Sequence, residues 1–173
     1  MSETDTSIRL RVAALAVQDG KALLVKHRRF LSGIDLPDES WILPGGGIKV
    51  GETLEEAVRR EVKEETGLIC EVGDMLFVKE LIYPYCDEAV THERPLLHVL
   101  SLCFAVKITG GTLQTGKDPE LPEDDQLILE TAWLPIDALK DYPIYPSSLA
   151  AFIQECAAEG FKPCQARYFR SKD

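Results

Sequence analysis

Residues 46–68 read GGIKVGETLEEAVRREVKEETGL, a helical pattern whose apolar stripe is interrupted by glutamates. The helix is predicted to start after Thr53, whose hydroxyl can cap it while Glu56 reaches back to complete a capping box. It is predicted to stop at Gly67, a residue suited to the left-handed position beyond a helix end. At about 100° of rotation per residue, Leu54, Ala57, Val58 and Val62 form one apolar stripe. Glu55, Glu56, Arg59, Arg60, Lys63 and Thr66 are assigned to the other side. Glu61 and Glu65 fall inside the stripe and Glu64 on its margin, at the i, i+3, i+4 spacing that makes side chains neighbours.

Three carboxylates beside a core-facing surface repel one another and lose hydration, at a cost of roughly several kcal/mol per buried ion. Protonation, pairing with cations or a bound divalent metal could each offset it. Arg59 and Arg60, expected to project from the opposite side, could pair with only part of the cluster. A hard cation suits oxygen ligands better, and Mg²⁺ commonly takes one or two carboxylates together with water and phosphates. The plainer alternative is a solvated Glu-rich helix with i, i+4 Glu–Arg pairs.

Upstream, Pro44-Gly45-Gly46-Gly47 follows the apolar run Trp41-Ile42-Leu43. Glycines there permit close backbone approach, and such a turn can aim carbonyls at a metal and amides at a phosphate oxygen. An ordinary tight turn would need the same residues. It is not a Walker loop, since Glu52 and Thr53 follow Gly51 where Lys and Ser or Thr would stand.

These residues resemble the signature of the Nudix (MutT-like) hydrolases. Its fixed positions are met by Gly46, Glu52, Arg60, Glu61, Val62, Glu64, Glu65, Gly67 and Leu68 without departure. The resemblance implies an α/β fold, an α/β/α sandwich with a mixed β-sheet. It implies a pyrophosphatase that cleaves a nucleoside diphosphate linked to another moiety, with Mg²⁺ or Mn²⁺ as cofactor. On this chain Glu61, Glu64 and Glu65 would be metal ligands, with the Gly45 carbonyl a further one. Glu61, Glu64, Arg60 and Glu52 would be the catalytic set, Glu52 and Arg60 as orienting groups. The general base stays open between Glu61, Glu64 and a residue of a later loop. The chemistry implied is water attack on a pyrophosphate phosphorus, where divalent ions bring two anions together and screen their charge.

A chain of 173 residues with 45% hydrophobic content fits one domain, taken here as residues 1–173. A net charge of −10 argues against duplex nucleic acid and anionic membranes as partners, and leaves a small nucleotide open. The N-terminal MSETDTSIRLRV lacks the cationic start and apolar core of a signal peptide. No apolar run approaches the roughly 20 residues of a membrane span. Five cysteines without a CxxC pair favour reduced thiols and a cytoplasmic location. Cys103 is expected in the core, and His27, His92 and His98, lacking zinc-ligand spacing, are expected to be structural unless a pocket shows otherwise.

Residues 8–18 and 21–27 read as a hairpin about Asp19-Gly20, a type I′ turn. Residues 28–40 read as a polar insertion with Gly33 and Pro37, either shaping a pocket or making a surface excursion. Lys26, Arg28 and Arg29 at the strand end could meet a substrate phosphate. Residues 69–83 read as one or two strands, 96–108 as a long buried strand, with a short strand around Leu113 after Gly110-Gly111. Residues 117–126 form an acidic loop in which Glu120, Glu123, Asp124 and Asp125 are further candidate carboxylates. Residues 127–134 resume strand character, Pro135 opens a short helix through Leu139 as its N1 residue, and Pro146-Ser147 opens a second. That second helix carries Leu149, Phe152, Ile153 and Cys156 inward and ends at Gly160.

Substrate choice stays open. Pro84 stands sixteen residues past Leu68, a spacing found in ADP-sugar-cleaving relatives, yet Tyr83 and Tyr85 flank it, as in dinucleoside polyphosphate-cleaving ones. Tyr83, Tyr85 or Phe30 could stack on a base or simply pack. Nucleoside triphosphates, ADP-ribose and other nucleotide sugars remain in play. A non-catalytic nucleotide-binding or sensing module is the alternative, and a homodimer is compatible with the resemblance.

Overall fold

Asp19 (φ 51°) and Gly20 (φ 71°) both adopt left-handed backbone, as a type I′ turn demands, and fold β1 (Arg9–Gln18) back onto β2 (Lys21–Arg28). The computed structural model describes residues 8–28, 37–84, 96–117, 122, 126–160 and 167–171. Five more strands follow: β3 (Glu39–Ile42), β4 (Leu68–Pro84), β5 (Leu96–Gly111), β6 (Ile128–Pro135) and β7 (Arg167–Ser171). Between β3 and β4 lies α1 (Leu54–Thr66), and after β6 come a 3₁₀ helix (Ile136–Asp141) and α2 (Ser148–Ala158).

The sheet is mixed, ordered β3-β2-β1-β5-β4-β7, with β6 paired to β2. β1 and β5 run parallel from Arg9↔Val99 to Ala16↔Val106, whereas β1 pairs with β2 only near the turn, at Val17↔Ala22 and Gln18↔Lys21. Past that point the glycine loop takes over the edge of β1. Ala14 N donates to Pro44 O (2.8 Å), Val12 N to Gly46 O (2.9 Å), and Ile48 N to Leu10 O (3.3 Å). That two-residue rhythm is the one an antiparallel strand would show, centred on the bridge Arg11↔Gly47, and it fixes the loop's register on β1.

Alternation along the strands divides the interior into two cores, one on each face of the sheet. Leu15, Ala22, Leu24 and Cys103 join Leu149, Phe152, Ile153 and Cys156 of α2. Val12, Ala14, Ala16, Leu23 and Phe104 join Ala57, Val58 and Val62 of α1. The expected sheet between helices is therefore the architecture observed.

Several expectations change. Glu39 and Ser40, assigned to the polar insertion, are in β3, because Arg28↔Glu39 and His27↔Ser40 are strand partners. Residues 69–83, expected as one or two strands, are one, β4, which bends through register shifts. β5 reaches Gly111 and is half-buried, with Lys107 exposed. No strand forms around Leu113; that backbone instead satisfies the end of α1, Gln114 N donating to Thr66 O (3.0 Å) and Gly116 N to Glu65 O (2.8 Å). Pro135 is the N-cap, not N1, of a 3₁₀ helix that runs to Asp141. β7 escaped the sequence reading and pairs parallel with β4. Cys103 is fully buried, as expected.

Candidate active site

Both ends of α1 are fixed by the residues expected. Thr53 Oγ1 accepts from Glu56 N (3.2 Å) while Glu56 Oε2 accepts from Thr53 N (2.8 Å), and Gly67 (φ 72°) donates to Lys63 O at 3.0 Å. Two side chains lie elsewhere than the helical wheel assigned them. Leu54 is 37% exposed, at the solvent-facing start of the helix, and Thr66 is fully buried. Thr66 Oγ1 donates to Val62 O (2.6 Å) and accepts from Leu68 N (3.2 Å), which lets a polar side chain sit in the core.

With the helix anchored, Ala57, Val58 and Val62 seal its inner face and carry Glu61 and Glu65 in with them, 8% and 7% exposed. Glu65 is held at both ends of the residue. Its Oε2 accepts from Gly45 N (2.9 Å), its Oε1 lies 3.7 Å from His27 Nε2, and its backbone carbonyl accepts from Thr131 Oγ1 (3.1 Å) as well as from Gly116. Gly116 has to be small, since a Cβ there would fall 1.9 Å from Glu64 O. Glu61 lies against Gly46, where a Cβ would come within 2.4 Å of Oε1, so the missing side chain is what admits the carboxylate.

Arg60 departs most from expectation. Instead of pointing away from the cluster it curls over it. Its Nε and Nη2 grip Glu52 Oε1 and Oε2 at 2.7 and 2.9 Å, a bidentate fork. Its Nη1 donates to Glu61 Oε1 (2.7 Å) and Glu64 Oε2 (3.0 Å), and Nη2 also reaches Gly47 O (2.9 Å). A long arginine stem lets the guanidinium cross from its own face of the cylinder. Arg59 follows the plainer expectation and pairs with Glu55 at 3.0 Å.

The electrostatics follow from these contacts. The Arg60 fork, aided by Lys49 N donating to Glu52, holds the Glu52 carboxyl down to about 2. The same carboxylates push Arg60 above its ordinary value, Glu52 foremost. Burial raises Glu61, and the neighbouring Glu65 and Glu64 charges reinforce it against the opposing pull of Arg60.

Glu61, Glu64, Glu65 and residues 45–47 line one cleft of about 310 Å³. Among the polar residues that also line it, Arg11, Lys49 and Lys117 were not expected there, and His27, expected to be structural unless a pocket showed otherwise, does face this one. The available signal was parity. In β2, His27 has the parity of Leu23, which packs against α1, whereas in β1 that face belongs to Val12, so alternation gave no signal for Arg11. By the same parity Lys26 and Arg28 point elsewhere, and neither lines the cleft. Lys26 is ion-paired with Glu39, and Arg28 is exposed. Arg29, Phe30, Tyr85, Glu120, Glu123, Asp124 and Asp125 lie outside the described residues, as do His92, Cys86 and Cys164.

The donor set suits a hard cation: carboxylates of Glu61, Glu64 and Glu65, plus the inward carbonyl of Gly45. Among the described residues no three of these carboxylates meet at one point. A single cationic nitrogen, Arg60 Nη1, already bridges two of them, which shows that the pair accepts positive charge between its oxygens.

Known proteins share this chain's sequence pattern and fold. The NUDIX domain family model matches residues 8–156. The chain is 38% identical over 113 residues to an ADP-ribose pyrophosphatase of Methanocaldococcus jannaschii, an alignment covering 65% of this chain and 58% of that protein. It is 34% identical over 125 residues to an 8-oxo-dGDP phosphatase of Homo sapiens, covering 72% of this chain and 31% of that protein. The chain thus spans less than two thirds of the length of these curated relatives. An ADP-ribose pyrophosphatase structure from Streptococcus suis superposes with a TM-score of 0.59 at 22% identity, over 94% of this chain and 98% of that one. A MutT NUDIX hydrolase structure from Burkholderia pseudomallei gives 0.56 at 25% identity, over 83% and 95%. Among the described residues no helix is long and apolar enough to cross a membrane.

Proposed function

Because the chain belongs to the Nudix family, we propose that it is a pyrophosphohydrolase, dependent on Mg²⁺ or Mn²⁺, cleaving the diphosphate linkage of a nucleoside diphosphate derivative. The observation that carries this reading is the gathering of Glu61, Glu64 and Glu65 in one cleft with the glycine loop opposite. The two relatives above are named for ADP-ribose and 8-oxo-dGDP, which share a nucleoside diphosphate. That shared unit is the substrate class proposed here, ahead of nucleoside triphosphates and dinucleoside polyphosphates.

Glu61, Glu64, Glu65 and the Gly45 carbonyl would hold the cation. A divalent ion held there would supply activation of water and screening of phosphate charge. The protein's own contribution is placement. Glu52 stays ionised and anchors the Arg60 fork, and Arg60 in turn fixes the Glu61 and Glu64 carboxylates. The amides of Gly46 and Gly47 offer hydrogen bonds to a phosphate oxygen. Glu61 or Glu64 takes the proton of the attacking water. Residues 1–173 act as one domain, cytoplasmic, alone or as a homodimer, with a small nucleotide as partner.

The test is a panel of ADP-ribose, other nucleotide sugars, 8-oxo-dGDP, nucleoside triphosphates and dinucleoside polyphosphates with Mg²⁺ or Mn²⁺. Release of a nucleoside monophosphate from the diphosphate members is expected. Absence of any product across the panel overturns the proposal; a nucleotide bound with metal yet left intact would indicate a sensing module.

A further inference from the structure

Arg11 makes, among the described residues, a single side-chain hydrogen bond, Nη2 donating to the Gly45 carbonyl at 3.1 Å. Gly45 is fixed on every side. Its N–H is committed to Glu65, its φ is 153°, and a Cβ would fall 2.1 Å from Val12 O. Its carbonyl therefore cannot turn away, and Arg11 addresses the one backbone oxygen of the proposed cation ligand set. Arg60 has five hydrogen bonds, to Glu52 twice, Glu61, Glu64 and Gly47, and is locked. Arg11, on β1 and opposite α1, has one and lines the same cleft.

A divalent ion taking the Gly45 oxygen would stand next to the guanidinium, and like charges at that separation in a partly buried site repel. A guanidinium leaving the carbonyl keeps its planar fork within the cleft, where that fork matches phosphate oxygens. The geometry points to Arg11 as a phosphate-binding residue that competes with the divalent ion for the Gly45 carbonyl and pairs with a nucleotide phosphate once the ion holds it. This rests on the hydrolase reading above.

Calorimetric titration of Mn²⁺ into the full chain, wild type against Arg11→Gln and Arg11→Lys, reads the first half. Arg11→Gln should bind Mn²⁺ about threefold or more tighter, because the competing charge is gone, while Arg11→Lys stays near wild type. Titration of imidodiphosphate, whose P–N–P bridge resists hydrolysis, at saturating Mn²⁺ reads the second. Arg11→Gln should weaken it about tenfold and Arg11→Lys less, with KM for the substrate rising in parallel and kcat nearly unchanged. A merely structural arginine that braces the glycine loop would give the opposite sign in the first titration, weaker Mn²⁺ binding on its loss. Mn²⁺ affinity that is unchanged or weaker in Arg11→Gln overturns the inference, and so does unchanged imidodiphosphate affinity. Neither titration depends on turnover, so failure of the substrate panel and failure of this inference are separable.

Discussion

α1 and α2 lie on opposite faces of one sheet and bury stripes of similar length, yet the residues in those stripes differ in kind. α2 presents Leu149, Phe152, Ile153 and Cys156, with Phe152 edge-on to Phe77 at 4.6 Å between ring centroids. α1 presents Ala57, Val58 and Val62 interleaved with Glu61 and Glu65. The ends are arranged the other way round. α1 has a complete capping box and a left-handed glycine stop, while α2 has no side-chain cap hydrogen bond. A helix with a continuous apolar face is held by its face. One whose face is given over to carboxylates is held by its termini and by a clamp such as Arg60.

Substitution on either side should break this symmetry in opposite ways. Glu64→Gln is expected to cut kcat about 10³-fold, about 4 kcal/mol of barrier, with little change in Tm. Phe152→Ala should cost about 3 kcal/mol of stability in urea denaturation and leave kcat per folded molecule intact. Equal effects of both variants on Tm and kcat would erase the division of labour. The termini come next. Thr53→Ala removes the cap of α1 and should cost about 1 kcal/mol, measured the same way. A null result there would mean that packing alone holds α1.

The smallest effect is one of pH. Glu52 lies at about 2 in the fold against an ordinary 4.5, so the stability it draws from Arg60 is whole above 4.5 and is lost as pH falls toward 2. The difference in unfolding free energy between wild type and Glu52→Gln should therefore shrink over that interval. A difference that is flat with pH would mean the Arg60 fork contributes nothing through ionised Glu52.

Local features were the legible ones. The Asp19-Gly20 turn, both caps of α1 and the inward face of α2 each depend on residues within one turn or one helix of each other, and each formed as read. What escaped was tertiary. The arm of Arg60 is long enough to leave its own side of the helix, which a wheel of Cβ directions cannot show. Gly116 and the backbone after Gly111 serve as a cap for α1 from far along the chain, so a stretch that looked like a strand had another use. The cleft itself draws on residues 11, 27, 42, 45–49, 60, 61, 64, 65, 117 and 127–128, from separate elements. The acidic residues were readable because they share one helix. Arg11, His27 and Lys117 were not, because they come from two strands and a later loop that only the tertiary fold brings together.

Thermal melting of wild type and Glu61→Gln, each with and without saturating Mn²⁺ at neutral pH, tests most directly whether α1 gives up stability to hold a cation. Burial raises the Glu61 carboxyl above 4.5, so its favourable contribution belongs to low pH and is lost as pH rises through the folded value. Without metal the neutral Gln variant should melt a few degrees above wild type. Mn²⁺ should raise the wild-type Tm by mass action and leave the variant almost unmoved. A variant that melts lower without metal, or that gains as much from Mn²⁺ as wild type does, would contradict the account.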